Sequence, residues 1–520
     1  MHVAIIGAGV AGLAVAARLA ASGHAVTVLE KDRTPGGKLR ERVVAGRAVD
    51  VGPTVFTMPD VFEDIFAAAG ERMADHLTIT RSQTIARHVF ADGSRLDLFA
   101  DQQRSEQAVE AFAGQRAAEE YRDFCLRAKG VHDMLAPIFM RAERPGGPLA
   151  LVARAGPRGL GGMLRIGAQT TLWRSLSAQF SDPRLRQLFG RYATYNGSSP
   201  FLAPATLMLI AHVEQSGVWL IERGMHRLAE ALVGLAGRHG AQFRYGAAVE
   251  AVETRSGRVA GVRLAGGETV PADVVVANCD ANALASGSLG AEVAAAAGSP
   301  LPAGERSLSA LTAAVVAPAS DFPLLRHNVF FSADYKAEFT QILRDRRLPS
   351  DPTVYVCAAD RDDRGARHEI GPERLFLIIN APADGDTRNF DQREVEACLT
   401  AAFSRMEASG FRVDRASASM HLSTPSDFAR RFPGTGGALY GRASHGSMAS
   451  FRRPGSRTSL PGLYLCGGSV HPGAGLPMAA LSGKLASDAI LADRASTSRS
   501  RLAAMPGGMS TRSPATAPSG

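Results

Sequence analysis

Apolar residues at the start of the chain form two short runs and, between them, a longer stretch with helical spacing. The run His2–Ile6 predicts a buried strand, and apolar residues recur with helical periodicity over 11–21 before Gly23 ends the pattern. A second apolar run at 25–29 predicts another strand, which ends at Glu30. The order strand, turn, helix, strand predicts an α/β fold.

The middle of the chain carries further strand and helix signals. Residues 217–240 predict a strand or turn followed by an amphipathic helix, and residues 241–280 alternate in the manner of a β-meander. A hairpin signal at 92–93 predicts an edge β-element in residues 86–100. Residues 375–379 form a mostly apolar run and predict a strand within an otherwise plainer, helix-rich region.

The last hundred residues contain an apolar segment that is unusually rich in glycine. Residues 462–483, GLYLCGGSVHPGAGLPMAALSG, contain too much glycine for a regular strand and too few polar residues for a surface loop. We therefore expect the backbone to approach another group closely there. From residue 496 the periodicity is lost and Ser, Thr, Pro and Gly accumulate, which predicts a disordered tail.

Composition narrows the class of protein. The 520 residues are 45% apolar and 21% charged, as expected for a folded protein of two to four domains. The net charge is +8, but Lys and Arg are scattered and no nucleic-acid-binding module is present, so we expect no nucleic-acid partner.

Five scattered cysteines without a CxxC pair predict a reduced, cytoplasmic protein without a metal site. No apolar run reaches the ~18 residues of a membrane span.

The first turn has the spacing of a dinucleotide-binding loop. Gly7 permits a sharp reversal, Gly9 lets the main chain approach a pyrophosphate, and Gly12 lets the helix pack on the strand. Glu30, at the end of the second strand, is placed to accept hydrogen bonds from ribose hydroxyls. An acidic residue at this position favours FAD or NAD over NADP.

The following stretch contains two more glycine motifs. Gly36 and Gly37 offer backbone amides to a cofactor, and Lys38 offers a cation near phosphate or ribose. The motif DVGPT follows at 50–54. Taken alone, the paired glycines are equally compatible with a surface turn that ends in a solvated lysine.

Together these motifs and the glycine-rich segment resemble the bacterial phytoene desaturase family of flavoproteins. The resemblance extends to about residue 493 and includes RFPGTGGALYG at 431–441 and FRRPGSRTSLPGLYLCGG at 451–468. Within the family the sequence is most similar to the 1-hydroxycarotenoid 3,4-desaturases, or methoxyneurosporene dehydrogenases, of purple bacteria.

The resemblance implies a cofactor, FAD, and the residues that bind it. Val249 would contact the adenine through its main chain, although it is equally readable as a core strand residue. The late glycines would pass the ribityl and pyrophosphate groups, and the final helix would point its N-terminus at the flavin ring. The implied FAD-binding residues are Gly7, Gly9, Gly12, Glu30, Lys31, Gly37, Lys38, Thr54, Val249, Gly467, Gly468, Leu476 and Met478.

The resemblance also implies a discontinuous Rossmann-like FAD-binding domain with an inserted α+β substrate domain. The FAD-binding domain is predicted at 1–99, 219–280 and 455–493. The substrate domain is predicted at 100–218 and 281–454, with the first of these two parts facing a membrane, and the disordered tail at 494–520.

The implied reaction is the removal of two hydrogens from adjacent carbons of a carotenoid, with reduction of FAD. The expected step is C-3,4 desaturation of 1-hydroxy- or methoxy-neurosporene-type intermediates in carotenoid biosynthesis, with quinone or dioxygen as the final electron acceptor. No catalytic residue is assigned, because His471 is as readily a packed loop residue as a proton acceptor. The alternatives are phytoene desaturation, carotene isomerisation and a non-enzymatic isoprenoid carrier.

A basic stretch predicts contact with a membrane surface. No acidic residue occurs between Glu143 and Asp182, whereas arginines alternate there with apolar residues. An element lying on an anionic bilayer has this composition, but so does a solvated helix pair with snorkelling arginines. Docking would place the protein peripherally on the cytoplasmic side of the inner or intracytoplasmic membrane. The arginines are Arg144, Arg154, Arg158, Arg165 and Arg174.

Overall fold

A five-stranded parallel sheet is assembled from three separate parts of the chain. The structure is a computed structural model that describes residues 1–165, 167, 169–320 and 322–503. Strands β1–β19 and helices α1–α15 of the described residues are numbered in chain order. The strand order is β19-β13-β1-β2-β9. These strands are β1 (His2–Ile6), β2 (Ala25–Glu30), β9 (Gln242–Tyr245), β13 (Val274–Ala277) and β19 (Leu463–Leu465).

The two faces of this sheet bury different partners, because successive side chains of a strand point to opposite faces. Val3 and Ile5 of β1 pack against helices, whereas Ala4 and Ile6 pack against a three-stranded antiparallel sheet. The helices are α1 (Val10–Ala21), α2 (Pro59–Ala68), α9 (Arg227–Arg238) and α15 (Leu476–Ala503). The antiparallel strands are β10 (Val249–Arg255), β11 (Arg258–Leu264) and β12 (Thr269–Pro271).

A seven-stranded mixed sheet forms the centre of the second domain. Its order is β18-β14-β17-β16-β15-β6-β7, and β15 pairs with β6 in parallel while the other pairs are antiparallel. All nine residues of β14 are buried, as expected for a strand covered on both faces. The strands are β6 (Thr84–Val89), β7 (Arg95–Phe99), β14 (Ser309–Ala317), β15 (His327–Phe330), β16 (Val354–Ala358), β17 (Glu373–Ala381) and β18 (Ser419–Ser423).

The remaining elements surround these sheets. Two small pairs are β3 (Glu41–Val44) with β4 (Arg47–Asp50), and β5 (Ile79–Arg81) with β8 (Trp219–Ile221). Helix α5 is interrupted by non-helical backbone at Gly156. The other helices are α3 (Gln102–Ala113), α4 (Gln115–Leu135), α5 (Pro148–Arg165), α6 (Leu172–Gln179), α7 (Pro183–Gly190), α8 (Leu209–Ser216), α10 (Ala281–Ala285), α11 (Ala291–Ala297), α12 (Tyr335–Leu343), α13 (Gln392–Ala408) and α14 (Pro425–Arg431).

This architecture is the predicted discontinuous Rossmann-like domain with an inserted α+β domain. The hairpin predicted at 92–93 is present as β6 and β7, and it joins the seven-stranded sheet. Leu284 and Val293 pack against the antiparallel sheet of the first domain. The domain boundaries given above stay predictions.

The end of the chain differs from the prediction. Helix α15 continues to Ala503, past the predicted start of the tail at 494, and residues 504–520 lie outside the described part of the chain. Among the described residues, no helix has both the length and the apolar character needed to cross a membrane. The side chains of Arg158 and Arg165, named above for membrane contact, lie outside the described residues.

Candidate functional site

The first glycine motif forms a tight loop between β1 and α1. Gly7 has a φ of +98°, which favours glycine. A Cβ atom on Gly12 would lie 2.3 Å from the carbonyl oxygen of Gly7, so a side chain there would force the helix off the strand. Gly9 caps α1 without a side-chain hydrogen bond, and the first helical turn contains no acidic residue. The helix N-terminus therefore presents free N–H groups and a partial positive charge to an anion.

Glu30 lies at the end of β2 and is buried. Its Oε2 accepts a hydrogen bond from the amide of Ala8 at 2.7 Å, and its Oε1 accepts one from the amide of Asp32 at 2.9 Å. A carboxylate offers about four lone-pair positions, so roughly two remain for other donors. This is the requirement for holding both hydroxyls of a ribose.

Asn278, which the sequence interpretation missed, connects the two glycine-rich ends of the chain. Its Nδ2 donates to the carbonyl oxygens of Gly7 at 3.1 Å and Gly9 at 3.2 Å. A Cβ on Gly467 would lie 3.1 Å from its Oδ1, so the late glycine motif approaches the same side chain. The available signal was a polar residue directly after β13, because ligands of parallel sheets bind at the carboxyl ends of the strands.

One cavity of about 1660 Å³ unites nearly all the predicted cofactor residues. Gly9 and Gly468 border the same cleft, which is the arrangement expected if both ends of the chain build one site. Gly12 instead supports the loop from behind, against Gly7 and Asn278. The predicted residues that line the cavity are Gly7, Gly9, Glu30, Lys31, Gly37, Lys38, Thr54, Val249, Gly467, Gly468, Leu476 and Met478.

The two predicted lysines contact the segment 431–439 at the edge of the cavity. Lys38 donates to the carbonyl oxygen of Leu439, and its Nζ lies 5.1 Å from the ring centroid of Phe432. Burial lowers the pKa of Lys38, and the nearby carboxylate of Asp280 opposes this shift. Lys31 donates to the carbonyl oxygen of Arg431. Both lysines therefore hold this segment beside the cavity, and both also border the cavity itself.

The part of the cavity inside the second domain is mostly apolar. Pockets for a single drug-sized ligand are roughly 300–1,000 Å³, so a larger cavity suits two ligands lying side by side. The apolar lining residues are Leu135, Phe139, Met140, Leu151, Leu207, Ile210, Val213, Phe376, Ile378, Met448 and Phe451. A nucleotide at the glycine loops would therefore have a long apolar molecule as its neighbour.

A polar chain lies where the two parts of the cavity meet. The hydroxyls of Thr54 and Tyr355 are 2.6 Å apart, and Nδ1 of His327 lies 2.7 Å from the same tyrosine hydroxyl. Burial raises the pKa of Tyr355 and lowers the pKa of His327 to about 3, so both groups are neutral near pH 7. These three hydrogen-bonded side chains can therefore position a ligand without adding charge to the cavity.

His471 packs behind the cavity wall. Its ring meets the ring of Phe139 edge to face at 4.8 Å, and its Nε2 lies 2.9 Å from the carbonyl oxygen of Ala142. Burial lowers the pKa of His471 to about 4, so the neutral ring donates to this carbonyl. These contacts support the interpretation of His471 as a packed residue.

The residues of the site fit FAD. The helix N-terminus of α1 suits the pyrophosphate, and the open lone pairs of Glu30 suit the ribose. The N-terminus of α15, at Leu476, borders the cavity and suits the electron-rich edge of a flavin ring. These three segments border one cavity, which has room for an elongated ligand.

The sequence matches known proteins over almost its whole length. The family described as flavin containing amine oxidoreductase matches residues 10–491. The chain is 52% identical to a hydroxyneurosporene desaturase from Rubrivivax gelatinosus, over 99% of this chain and 98% of the relative. A hydroxyneurosporene desaturase from Cereibacter sphaeroides is 45% identical, over 96% of this chain and 99% of the relative. Among solved structures, an oxidoreductase from Methanosarcina mazei has a TM-score of 0.60 at 16% identity, covering 95% of this chain and 100% of that chain, and so shares the fold.

Proposed function

Because the chain belongs to the flavin containing amine oxidoreductase family and is an FAD-dependent oxidoreductase, we propose a reaction for it. The proposed reaction is the desaturation of a carotenoid. The substrate is a 1-hydroxy- or 1-methoxy-neurosporene-type carotenoid, and the new C=C bond forms between C-3 and C-4, which lengthens the conjugated polyene. The product belongs to carotenoid biosynthesis.

The main support for the proposal is the size and lining of the cavity. One cavity of about 1660 Å³ begins at the glycine loops and continues between apolar side chains of the second domain. A linear hydrocarbon chain beside a dinucleotide fills a space of this shape and polarity. The residues proposed to hold FAD are those predicted from the sequence, with Asn278 added as the residue that fixes the loop of Gly7 and Gly9.

The chemistry is an oxidation of the substrate by two electrons. Bound FAD supplies the two-electron acceptor, so that the loss of one hydrogen from each of C-3 and C-4 leaves a double bond. The apolar walls hold the polyene in one orientation and exclude water from the reacting carbons. The polyene itself spreads developing positive charge, and no side chain is assigned as a general base. Quinone or dioxygen is proposed to take the electrons from the reduced protein.

Helix α5 is the proposed contact with the membrane in which the carotenoid dissolves. Leu149 in its first turn is 86% exposed, whereas Pro148, Leu151 and Val152 border the cavity. The helix therefore connects an exposed apolar side chain to the apolar part of the site. Arg144 precedes the helix and Arg154 lies in its second turn, and although each also donates to backbone carbonyls, their charges favour anionic lipid headgroups.

Product analysis in lipid vesicles tests the proposed function. The flavin-loaded protein is incubated with vesicles that contain 1-hydroxyneurosporene, and the carotenoid is then extracted. We expect a red shift of the absorption maximum and a mass lower by two hydrogens. An unchanged mass with a changed spectrum would identify an isomerase, and conversion of phytoene in a parallel vesicle sample would identify an earlier desaturase. A protein that is purified without flavin and retains the added carotenoid unchanged would be a carrier.

A further inference from the structure

A buried cluster of polar residues interrupts the apolar wall of the cavity. Glu214 of α8 is only 5% exposed, and its two oxygens accept hydrogen bonds from the hydroxyls of Tyr192 and Tyr195. Arg191 precedes these tyrosines in the short 3-10 helix Arg191–Asn196. Arg191, Tyr195 and Glu214 border the cavity, so the cluster faces the ligand space.

Arg191 is attracted by the charge of the Glu214 carboxylate without forming a direct ion pair with it. Its guanidinium lies over the rings of Tyr195 and Tyr355, at 5.3 Å and 5.5 Å from their centroids. It forms no ion pair within 4.0 Å of a carboxylate among the described residues. A cation held in an apolar wall is costly unless hydrogen-bond acceptors satisfy it, and aromatic faces satisfy it only in part. One donor of Arg191 interacts with the hydroxyl of Tyr195, and the remaining N–H donors are available to an acceptor that enters the cavity.

We propose that Arg191 binds the C-1 oxygen of the carotenoid and thereby selects substrates that carry oxygen at that end. The proposal rests on the proposed function and names the group that determines its specificity. The rings of Tyr195 and Tyr355 both contact the guanidinium, and Glu214 accepts a hydrogen bond from the hydroxyl of Tyr195 at 2.5 Å.

The position of the cluster agrees with the chemistry of the substrate. The oxygen on C-1 is separated from C-4 by only four bonds, so with bonds of about 1.5 Å it lies within roughly 5 Å of both reacting carbons. The group that binds it must therefore lie beside the redox centre and not at the far end of the apolar space. Tyr355, which contacts Arg191, is hydrogen-bonded to Thr54, a residue predicted to contact FAD.

The contacts also determine which oxygen groups are accepted. Arg191 only donates hydrogen bonds, so it needs an acceptor oxygen and not a hydroxyl hydrogen. Each carboxylate oxygen of Glu214 already accepts a tyrosine hydroxyl, and the lone pairs that remain would favour the alcohol over the ether without replacing the acceptor oxygen that Arg191 requires. A hydroxyl and its methyl ether both present an acceptor oxygen, and the parent hydrocarbon presents none. We therefore expect the site to accept the alcohol and the ether and to reject the hydrocarbon.

The first experiment needs only the flavin-loaded wild-type protein and three carotenoids. We expect kcat/KM for 1-hydroxyneurosporene and 1-methoxyneurosporene to agree within about tenfold, and kcat/KM for neurosporene to be at least about 100-fold lower. Rejection of the ether together with the hydrocarbon would overturn the role of Arg191 as a donor. Absence of turnover with all three compounds would overturn the proposed function itself.

The second experiment replaces Arg191 and measures binding as well as turnover. In Arg191→Leu we expect the preference for the hydroxylated carotenoid over neurosporene to fall about 10- to 100-fold, because one charge-assisted hydrogen bond is lost. We also expect the dissociation constant of the hydroxylated carotenoid, measured from the spectral change on binding, to rise in this variant. Arg191→Lys keeps a donor cation and should recover part of the preference.

The matched control is Arg104→Leu, the same change at an exposed arginine of α3. This variant should keep the wild-type preference. An Arg191→Leu protein that binds FAD, converts the hydroxylated carotenoid and keeps the full preference would overturn the inference while the proposed function stands. If Arg191→Leu fails to fold, the inference is tested by Arg191→Lys and by the activity of the wild-type protein on the three carotenoids.

Discussion

At the scale of single residues, the loop of Gly7 and Gly9 depends on backbone contacts that are too close to leave room for a side chain. Gly12 approaches the carbonyl oxygen of Gly7, and Asn278 donates to the carbonyl oxygens of Gly7 and Gly9. A carbonyl that is fixed by an amide side chain cannot rotate away to relieve a clash. These three contacts therefore restrict the conformation of the loop, in addition to the burial of Ala8 and Val10 in the core.

Substitution of Gly12 by alanine tests this packing. The new Cβ would lie 2.3 Å from the oxygen of Gly7 and 2.7 Å from Nδ2 of Asn278, so the loop must shift. We expect a loss of stability of about 1–3 kcal/mol and at least a tenfold loss of FAD affinity. Flavin absorbance per protein and the thermal midpoint measure both effects.

Gly130→Ala is the matched control for this change. Gly130 is also helical, in α4, and an added Cβ meets no atom within 4 Å. Alanine is favoured over glycine inside a helix by up to about 1 kcal/mol, so this variant should be equally or more stable and should keep its flavin. Equal flavin content in the two variants would contradict the role assigned to Gly12.

Acidification tests the buried histidine His88. Its Nδ1 lies 3.2 Å from the carbonyl oxygen of Leu96, and burial lowers the pKa of His88 to about 3, with a smaller contribution from the charge of Arg191. The unfolded chain binds this proton near pH 6.5, whereas the folded protein does not until about pH 3, so stability is lost as the pH falls. We expect His88 to account for a loss of about 2 kcal/mol between pH 7 and pH 5.

Urea unfolding at both pH values, in the wild type and in His88→Phe, measures this contribution. The variant has no group to protonate at this position, so its stability should fall less over the same interval. Equal losses in the two proteins would contradict the assigned pKa shift of His88.

At the scale of secondary-structure elements, the ends of strands and helices build the site. The carboxyl ends of β1, β2, β13 and β19 all approach the cofactor side of the parallel sheet, because parallel strands share one carboxyl edge. The amino ends of α1 and α15 border the same cavity. Gly483 allows these two helices to pack closely, since a Cβ there would lie 2.4 Å from the carbonyl oxygen of Ala11.

Helix α5 yields a prediction about membrane binding. Insertion of Leu149 into a bilayer contributes roughly 1.5–3 kcal/mol, and a glutamate at this position would prevent it. We expect Leu149→Glu to weaken co-sedimentation with anionic vesicles at least tenfold. Ile370→Glu changes the charge equally at another fully exposed apolar residue, outside α5, and should bind vesicles as the wild type does. Equal weakening by both variants would indicate a general charge effect and contradict docking through α5.

At the scale of the whole molecule, one ligand site joins segments from three parts of the chain. The first glycine loop, β13 with Asn278, and the late glycine motif are separated by hundreds of residues and meet only in the folded protein. The inserted domain supplies the apolar part of the cavity, with side chains from helices α4, α5 and α8 and from strand β17. Binding of FAD should therefore stabilise the assembly of both domains.

Removal of FAD tests this dependence. A ligand that binds only the folded state stabilises it by about 2.7 kcal/mol when present at 100 times its dissociation constant. We expect the flavin-free protein to melt at a lower temperature and the addition of FAD to restore the midpoint in a concentration-dependent way. NADP, which carries a 2′-phosphate that Glu30 would repel, should not restore it. A midpoint that is independent of FAD would contradict the shared site.

The sequence by itself determined the local elements and the chemistry of the glycine loops. Strand β1, helix α1, strand β2 and the meander follow from periodicity, because burial of one face imposes a spacing that can be read directly. Gly7, Gly9, Gly12 and Glu30 were identified because their spacing is dictated by the geometry of a single turn. Such features depend on neighbours in the chain.

Only the tertiary structure decided which distant residues share the cavity. The only local signal for Asn278 is its position directly after β13, and Arg191 carries none, since an amide after a strand and an arginine in a short helix occur in many settings. Their roles come from contacts with Gly7, Gly9 and Tyr355, which lie far away in the sequence. The assignment of β6 and β7 to the second domain likewise depends on pairing with β15, about 240 residues later. Pairing between strands that are distant in the sequence depends on how the whole chain packs, so it cannot be predicted from a short sequence pattern.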